Sequence, residues 1–442
     1  MNFLSAKFSW ILKAKDGVSA VLQSLLSKTV ILGIGLVTSI LNSRFLGPDG
    51  RGEQAAMIAL ISFIASLATI GVPTALIYNL KRYPESQAKL LGSALLLSVG
   101  LGSIGSVIGI FVLPQWLSKY SPEVIHTAQW FMLGVPFTTL SYVCWAALEG
   151  RGEFSLVNKA RPIPLFMTLG LMFAFIGFGI FVPTTSALAY FLPNLLILFW
   201  ILPHLWSKVT PVLLGIKTSS QRLLSYGVRA YGIDVLSTLS GQIDQLLVVG
   251  MLSPASMGTY VVALSLSRTL NVFQESITMV LFPKVAARSV EGVLTTVGQA
   301  TRLGIVTVAV VGSAAILLSP VLIKLLYGQQ FLIAVPVFQV LVIEVLLSGT
   351  ARVLVQAFMA LERPGVVTLT QGMGLACTIP LMIYLIPLYG ILGAGLSLMG
   401  SSAIRLIFVL ICFPVFLRVP PPQLVLNRQD CRLILRLLKR EA

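Results

Sequence analysis

The sequence predicts an all-α, polytopic membrane protein of about twelve transmembrane helices, built as two six-helix halves. Three observations lead there: the composition, a succession of apolar runs long enough to cross a bilayer, and the placement of basic residues between those runs. Charged residues make up only 10% of the 442 and hydrophobic residues 56%, with a mean hydropathy of +0.93. An average soluble domain is about 25% charged. A water-soluble chain of this size cannot bury so much apolar surface, so the bilayer is the solvent that fits.

A spanning helix needs roughly twenty mostly apolar residues. In the first half such runs occur at 24–43, 54–79, 90–113, 128–148, 162–182 and 187–206. The second half supplies 230–251, 257–282, 303–326, 331–358, 366–386 and 391–417. With the N-terminus inside, nearly every Lys and Arg falls in an inner segment, as the positive-inside rule requires. Lys7, Lys13, Lys81, Arg82, Lys159, Lys217, Arg222, Arg229 and Arg363 are among them, and only Arg44, Arg51, Lys119 and Lys324 lie outside. Both termini are thereby expected in the cytoplasm and the protein in the inner membrane. This placement also accounts for the net charge of +16 without a nucleic-acid partner, which would need a clustered basic face.

The domain reading follows. Residues 1–206 form an N-terminal lobe, 207–229 a polar and basic cytoplasmic linker, 230–417 a C-terminal lobe, and 418–442 a basic amphipathic tail. The segments 1–15 and 424–440 interleave apolar and basic residues and suit helices lying on an anionic inner leaflet. The halves repeat one another: Leu46, Pro48 and Gly52 after the first span recur as Leu252, Pro254 and Gly258 after the seventh. The same offset pairs Gly92 with Gly298 and Pro114 with Pro320. Two such six-span units enter from one side, a parallel repeat that alternating-access transporters use.

Little points to catalysis or metal. Cys144, Cys377, Cys412 and Cys431 show no CxxC spacing, and the only histidines are His126 and His204, so neither a metal centre nor a redox pair is expected. Gly100–Gly105 fits G-x-G-x-x-G, but inside an apolar run it reads as helix packing, like the Gly105/Gly109 step. The outer loops are short and offer only Asp49, Glu53, Glu123 and His126 as titratable side chains, which argues against an enzyme.

The informative residues are ionisable groups at membrane depth, which are costly and therefore candidates for function. They are Asp234 and Asp244 on span seven, Arg268 and Glu275 on span eight, Glu344 and Arg352 on span ten, and Arg405 on span twelve. Gln242 and Gln245 accompany the aspartates on span seven. In one reading they line a wet cavity where arginines hold an anionic headgroup and a carboxylate takes up H⁺ or Na⁺. In the other they are interhelical ion pairs, such as Arg352 with Glu344 or Asp244. Arg405, near an inner helix end, is expected to snorkel. Pro73, Pro136, Pro193, Pro336 and Pro380 lie within spans and permit bending.

The run Arg44-Phe45-Leu46-Gly47-Pro48-Asp49-Gly50-Arg51-Gly52-Glu53 resembles the signature after the first helix of Wzx-type polysaccharide flippases, in the MATE-like multidrug/oligosaccharidyl-lipid/polysaccharide exporter superfamily. Gly71-Val72-Pro73-Thr74-Ala75 and Gln242-Ile243-Asp244-Gln245 are similar to the same family. The resemblance implies a MATE-like two-lobed bundle, acting as a monomer, that carries a polyprenyl-pyrophosphate-linked oligosaccharide for cell-surface polysaccharide biosynthesis. Arg268, Arg352, Gln242 and Gln245 at membrane depth, with Arg44 near the outer edge, are the candidates for the substrate cavity, and Asp234, Asp244, Glu275 and Glu344 those for ion coupling. Implied partners are the lipid-linked oligosaccharide, the bilayer and the polysaccharide polymerisation machinery, with no cofactor beyond a coupling H⁺ or Na⁺. The alternative is a proton- or sodium-coupled multidrug exporter.

Overall fold

A computed structural model describes residues 17–213, 215–285 and 289–425. The two terminal amphipathic segments therefore lie almost wholly outside the described residues. The described chain is helical. In order it runs α1 (Gly17–Ala68), α2 (Val72–Arg82), α3 (Gln87–Trp116), α4 (Pro122–Met132), α5 (Val135–Gly150), α6 (Phe154–Ala160), α7 (Ile163–Gly177) and α8 (Pro183–Lys208). Then follow α9 (Ile216–Met251), α10 (Pro254–Arg268), α11 (Asn271–Val285), α12 (Val290–Leu326), α13 (Ala334–Ala360), α14 (Pro364–Tyr389) and α15 (Ile391–Cys412).

Eight helical stretches among the described residues are long and apolar enough to cross a membrane, or nine if the bent pair α4–α5 counts as one span. The expected number was about twelve, and the difference has local causes. The first two expected spans run together as α1, kinked at Gly47, whose φ of 68° only glycine adopts freely. The second is then broken at Ile70 and Gly71, both with positive φ. The fourth bends by 42° at Leu133–Gly134, and the eighth is interrupted between Arg268 and Asn271. The seventh sits in α9, which carries Lys217, Arg222, Arg229, Asp234 and Asp244.

By their contacts the helices form two compact units. One is Val37–Val261; the other joins the described residues up to Leu36 with those from Val262 on. This differs from the expected lobes, because α9 groups with the N-terminal helices. The segment expected to be a linker is helical from Ile216 onward. The reason is a buried stripe at a spacing of four, Ser219, Leu223 and Gly227, with Lys217, Arg222 and Arg229 exposed.

In the first unit α2, α3, α5 and α8 pack around a core that includes Leu76, Leu90, Cys144, Leu148 and Leu198. Glycines set the spacing on α3: a Cβ on Gly102 would meet Pro136 Cα at 2.7 Å, on Gly105 Ala68 Cβ at 2.8 Å, and on Gly109 Met132 Sδ at 2.7 Å. The glycine-rich run is thus a packing face. In the second unit Val293, Val297, Leu354 and Val409 pack with Phe358 and Phe413, whose ring centroids are 4.8 Å apart.

The turn after α5 carries a polar latch to α8. Glu153 accepts from Arg151 Nε at 2.9 Å, and His204 Nε2 lies 2.8 Å from its other oxygen. Burial alone would raise the Glu153 carboxyl, but these two hydrogen bonds and the charges behind them hold it below its ordinary value. A depressed carboxylate contributes stability above its unfolded pKa of about 4.3 and loses it as pH falls through the folded value. Thermal unfolding in detergent should therefore show an acid-side loss of Tm that Glu153→Gln flattens. An unchanged acid limb in that variant would remove the latch from the account.

Candidate functional site

The break between α1 and α2 organises the first unit's chemistry. Positive φ at Ile70 and Gly71 stops the helix and leaves carbonyls without helical partners. The Tyr231 hydroxyl on α9 donates to Leu67 O at 2.6 Å, and Gly227 packs its backbone on that of Gly71, where no Cβ would fit. One turn on, Thr74 Oγ1 donates to Asp234 Oδ2 at 3.0 Å. Asp234 is therefore placed at the break and partnered.

Beside it lies a groove of about 500 Å³ lined by Thr74, Ile77, Tyr78, Lys81, Arg82 and Tyr226. Tyr78 and Tyr226 stack with ring centroids 4.2 Å apart and an interplanar angle of 12°. Arg222 lies over the Tyr83 ring at 4.7 Å, a cation–π geometry. Lys81 and Arg82 are exposed at the end of α2. In the sequence these basic residues mark only topology; the tyrosines that accompany them come from α2 and α9, far apart along the chain.

Asp244 has a different setting. It is 3% exposed and accepts from the Tyr260 hydroxyl at 2.9 Å, on the packed side of α9, whereas Ser237, Ser240 and Gly241 are exposed. The Trp116 indole and Lys119 ammonium donate to Leu246 O and Met251 O at 2.9 and 2.5 Å and so close the C-terminal end of this helix. Gln242 and Gln245 are partly buried, and Gln242 Oε1 has no hydrogen-bond partner among the described residues. Arg44 is exposed on α1.

The repeated motif has a structural meaning that its spacing did not disclose. Its two copies face each other within the first unit. A Cβ on Gly52 would fall on the Pro254 carbonyl oxygen and 2.9 Å from Gly258 N. Reciprocally, a Cβ on Gly258 would fall on the Pro48 carbonyl oxygen and 2.9 Å from Gly52 N. Two helix starts thus cross backbone to backbone about a local pseudo-two-fold.

The second unit gathers another set. Ser402 Oγ donates to Glu344 Oε1 at 2.8 Å, and Ser348 and the charges of Arg405 and Arg268 also act on this carboxylate. Arg405 does not snorkel: it is partly buried, donates from Nη2 to Ser348 O at 3.3 Å, and leaves Nε without a partner among the described residues. Arg352 is exposed and bears on Arg405 as a like charge; no ion pair between it and Glu344 is present among the described residues. Arg268 is exposed at the end of α10 and Glu275 partly buried on α11. Four of the ionisable groups therefore converge, Glu344, Arg268, Arg405 and Arg352, while Asp234 and Asp244 sit in separate settings within the first unit.

Comparison with known proteins places this arrangement. A family model described as a polysaccharide biosynthesis protein matches residues 41–336. The succinoglycan biosynthesis transport protein ExoT of Rhizobium meliloti (strain 1021) is 24% identical over 165 residues, which is 36% of this chain and 32% of that protein. The match thus spans about a third of the curated relative's length. Among solved structures, the lipid II flippase MurJ in an inward closed conformation superposes with a TM-score of 0.75 at 15% identity, covering 91% of this chain and 88% of that one. An inward-facing multidrug resistance MATE family transporter of the MOP superfamily gives 0.68 at 15% identity, covering 88% and 93%.

Proposed function

Because this chain belongs to the polysaccharide biosynthesis protein family, we propose that it flips a polyprenyl-pyrophosphate-linked oligosaccharide across the inner membrane by alternating access. It is a multi-pass membrane protein with the fold of flippases and exporters, and it moves its substrate without chemical change. The observation that carries the reading is the groove beside the broken helix. Lys81 and Arg82 supply positive charge there for a diphosphate, and the stacked Tyr78 and Tyr226 offer an apolar platform for a sugar ring. By the positive-inside rule this end of α2 faces the cytoplasm, where such a substrate would be assembled. Both termini lie on the same side.

Coupling would use H⁺ or Na⁺. Asp234, hydrogen-bonded to a groove residue, is the first candidate for its site, and Asp244, Glu275 and Glu344 are the others. Arg44, Arg268 and Arg352, with Gln242 and Gln245, remain candidates for substrate contact further along the path. The working form is a monomer, delivering product to the polysaccharide polymerisation machinery.

The test is translocation of a fluorescent polyprenyl-pyrophosphate oligosaccharide in proteoliposomes, with and without H⁺ or Na⁺ gradients. Wild type should move the lipid, and Lys81→Ala/Arg82→Ala should move it at least roughly tenfold more slowly, as loss of a charge-assisted bond of about 1.5 kcal/mol implies. Full activity in the double variant would sink the groove. Gradient-driven export of a cationic dye with no lipid movement would instead establish the exporter.

A further inference from the structure

The first unit holds a second concavity, unrelated to the basic groove. A cavity of about 220 Å³ is bordered by Ser62, Thr138, Ser141, Tyr142, Tyr190 and Asn194 together with Ile61, Trp145 and others. It shares Phe131, Phe137, Phe191 and Leu195 with a second space of about 500 Å³, which is bordered also by Trp130, Leu133, Gly134 and Leu188. The two adjoin along those four side chains as a slot between α4–α5 and α8, with α1 closing the smaller part. No residue lining either part is charged.

Its outer end is apolar and open. Trp130 is 74% exposed, and Leu133, Phe137 and Leu188 are also exposed; in a membrane-spanning bundle such a surface meets hydrocarbon. The slot exists because of the bend at Leu133–Gly134. Gly134 lets the Phe191 ring seat against the break, since a Cβ there would lie 2.6 Å from that ring, and Phe191 meets Phe131 edge to face with centroids 6.4 Å apart. At the polar inner end the Tyr190 hydroxyl is partnered: Asn42, fully buried, donates to it at 3.2 Å and accepts from Ser186 at 2.5 Å. A void among aromatic rings in hydrocarbon does not stay empty, and the bilayer beside it offers only chains. An anionic headgroup finds no counter-charge here.

We propose that this slot holds the isoprenoid chain of the lipid carrier, giving the chain a seat in the first unit while the headgroup is handled elsewhere. The proposal rests on the flippase reading. Aromatic walls and a bent path suit a methyl-branched, unsaturated chain better than a straight acyl chain, which packs along flat helix surfaces.

The experiment uses the full chain in nanodiscs, photolabelled with a diazirine-bearing polyprenyl monophosphate and, separately, with diazirine-bearing phosphatidylcholine. The expected result is polyprenyl labelling of peptides carrying Trp130–Phe137 and Leu188–Leu195, displaced by unlabelled polyprenyl monophosphate and not by phosphatidylglycerol. Thr138→Phe, which fills the inner end, should cut that labelling roughly tenfold. Leu188→Trp at the mouth gives a second occlusion should the first variant not fold. Equal labelling by phosphatidylcholine would mean bilayer lipid only, and displacement by soluble oligosaccharide would make the slot a sugar subsite; either overturns the proposal, as does no labelling. Labelling as expected in a protein that translocates no lipid-linked oligosaccharide would leave the slot standing and overturn the flippase reading. Translocation without slot labelling would do the reverse.

Discussion

Gly52→Val and Gly258→Val should each abolish the native arrangement of the first unit, with loss of most folded protein from detergent extracts. At each position the first side-chain atom would coincide with a backbone carbonyl across the crossing, Pro254 O or Pro48 O. A flexible side chain could turn away; a carbonyl held at a helix start cannot. Ordinary overpacking costs about 1–3 kcal/mol, and displacing two backbones exceeds that range. Gly52→Ala and Gly258→Ala place the same Cβ and should also lower the Tm steeply, and the double Ala variant should cost less than the sum of the two, because one separation of the helices relieves both clashes. Additive losses would show that the two glycines act at independent contacts, and an unchanged Tm that the crossing is not closed in solution.

Glu344→Leu and Arg405→Leu should each destabilise the second unit by about 1–3 kcal/mol, because each removes an opposite charge from the other's partly apolar surroundings, although Arg268 continues to act on Glu344. Their charges act on each other, with Ser402 and the Ser348 carbonyl supplying the hydrogen bonds. The double Leu variant should recover part of that stability, since Arg268 and Arg352 remain nearby without the carboxylate. Thermal unfolding of the four proteins forms a double-mutant cycle, and a coupling energy near zero would show that the two charges do not act on each other. Transport then separates two roles. A refolded double variant that still moves lipid with the same gradient dependence takes Glu344 out of ion coupling, whereas one that is stable and inactive keeps it there.

Much of this architecture was legible in the sequence because bilayer thickness imposes a length on apolar runs. The expected ranges 90–113, 187–206, 366–386 and 391–417 fall within α3, α8, α14 and α15 with its continuation. What hydropathy could not register was conformation. The breaks at Ile70–Gly71 and Leu133–Gly134 lie in runs as apolar as any other, and a positive φ at Ile70 leaves no mark on a hydropathy average. The inward setting of Arg405, hydrogen-bonded to Ser348 O, was hidden because a basic residue near a helix end reads the same whether it rises to the interface or turns inward. The groove tyrosines were silent for another reason: Tyr78 and Tyr226 acquire meaning only once α9 lies against α2. The ionisable residues stand out in the sequence as a set, but their partition into separate environments depends on helix rotation, which a 100° wheel fixes only when the buried side is known.

The composition of α9 has a consequence for biogenesis. Lys217, Arg222, Arg229, Asp234 and Asp244 ride on this one helix, and an aspartate at mid-membrane opposes insertion by roughly 2.5–3.5 kcal/mol. A translocon presented with this segment alone would not release it into lipid. It becomes acceptable when Thr74 and Tyr260 receive the two carboxylates and Gly71 receives Gly227. The earlier helices, with the α1–α2 break already formed, must therefore be in place to receive Asp234 and Gly227, while Asp244 is satisfied only when Tyr260 follows on α10. Damage at Gly71 would then surface as a topology defect more than a hundred residues downstream, registered by quality-control proteolysis before any transport assay could detect it.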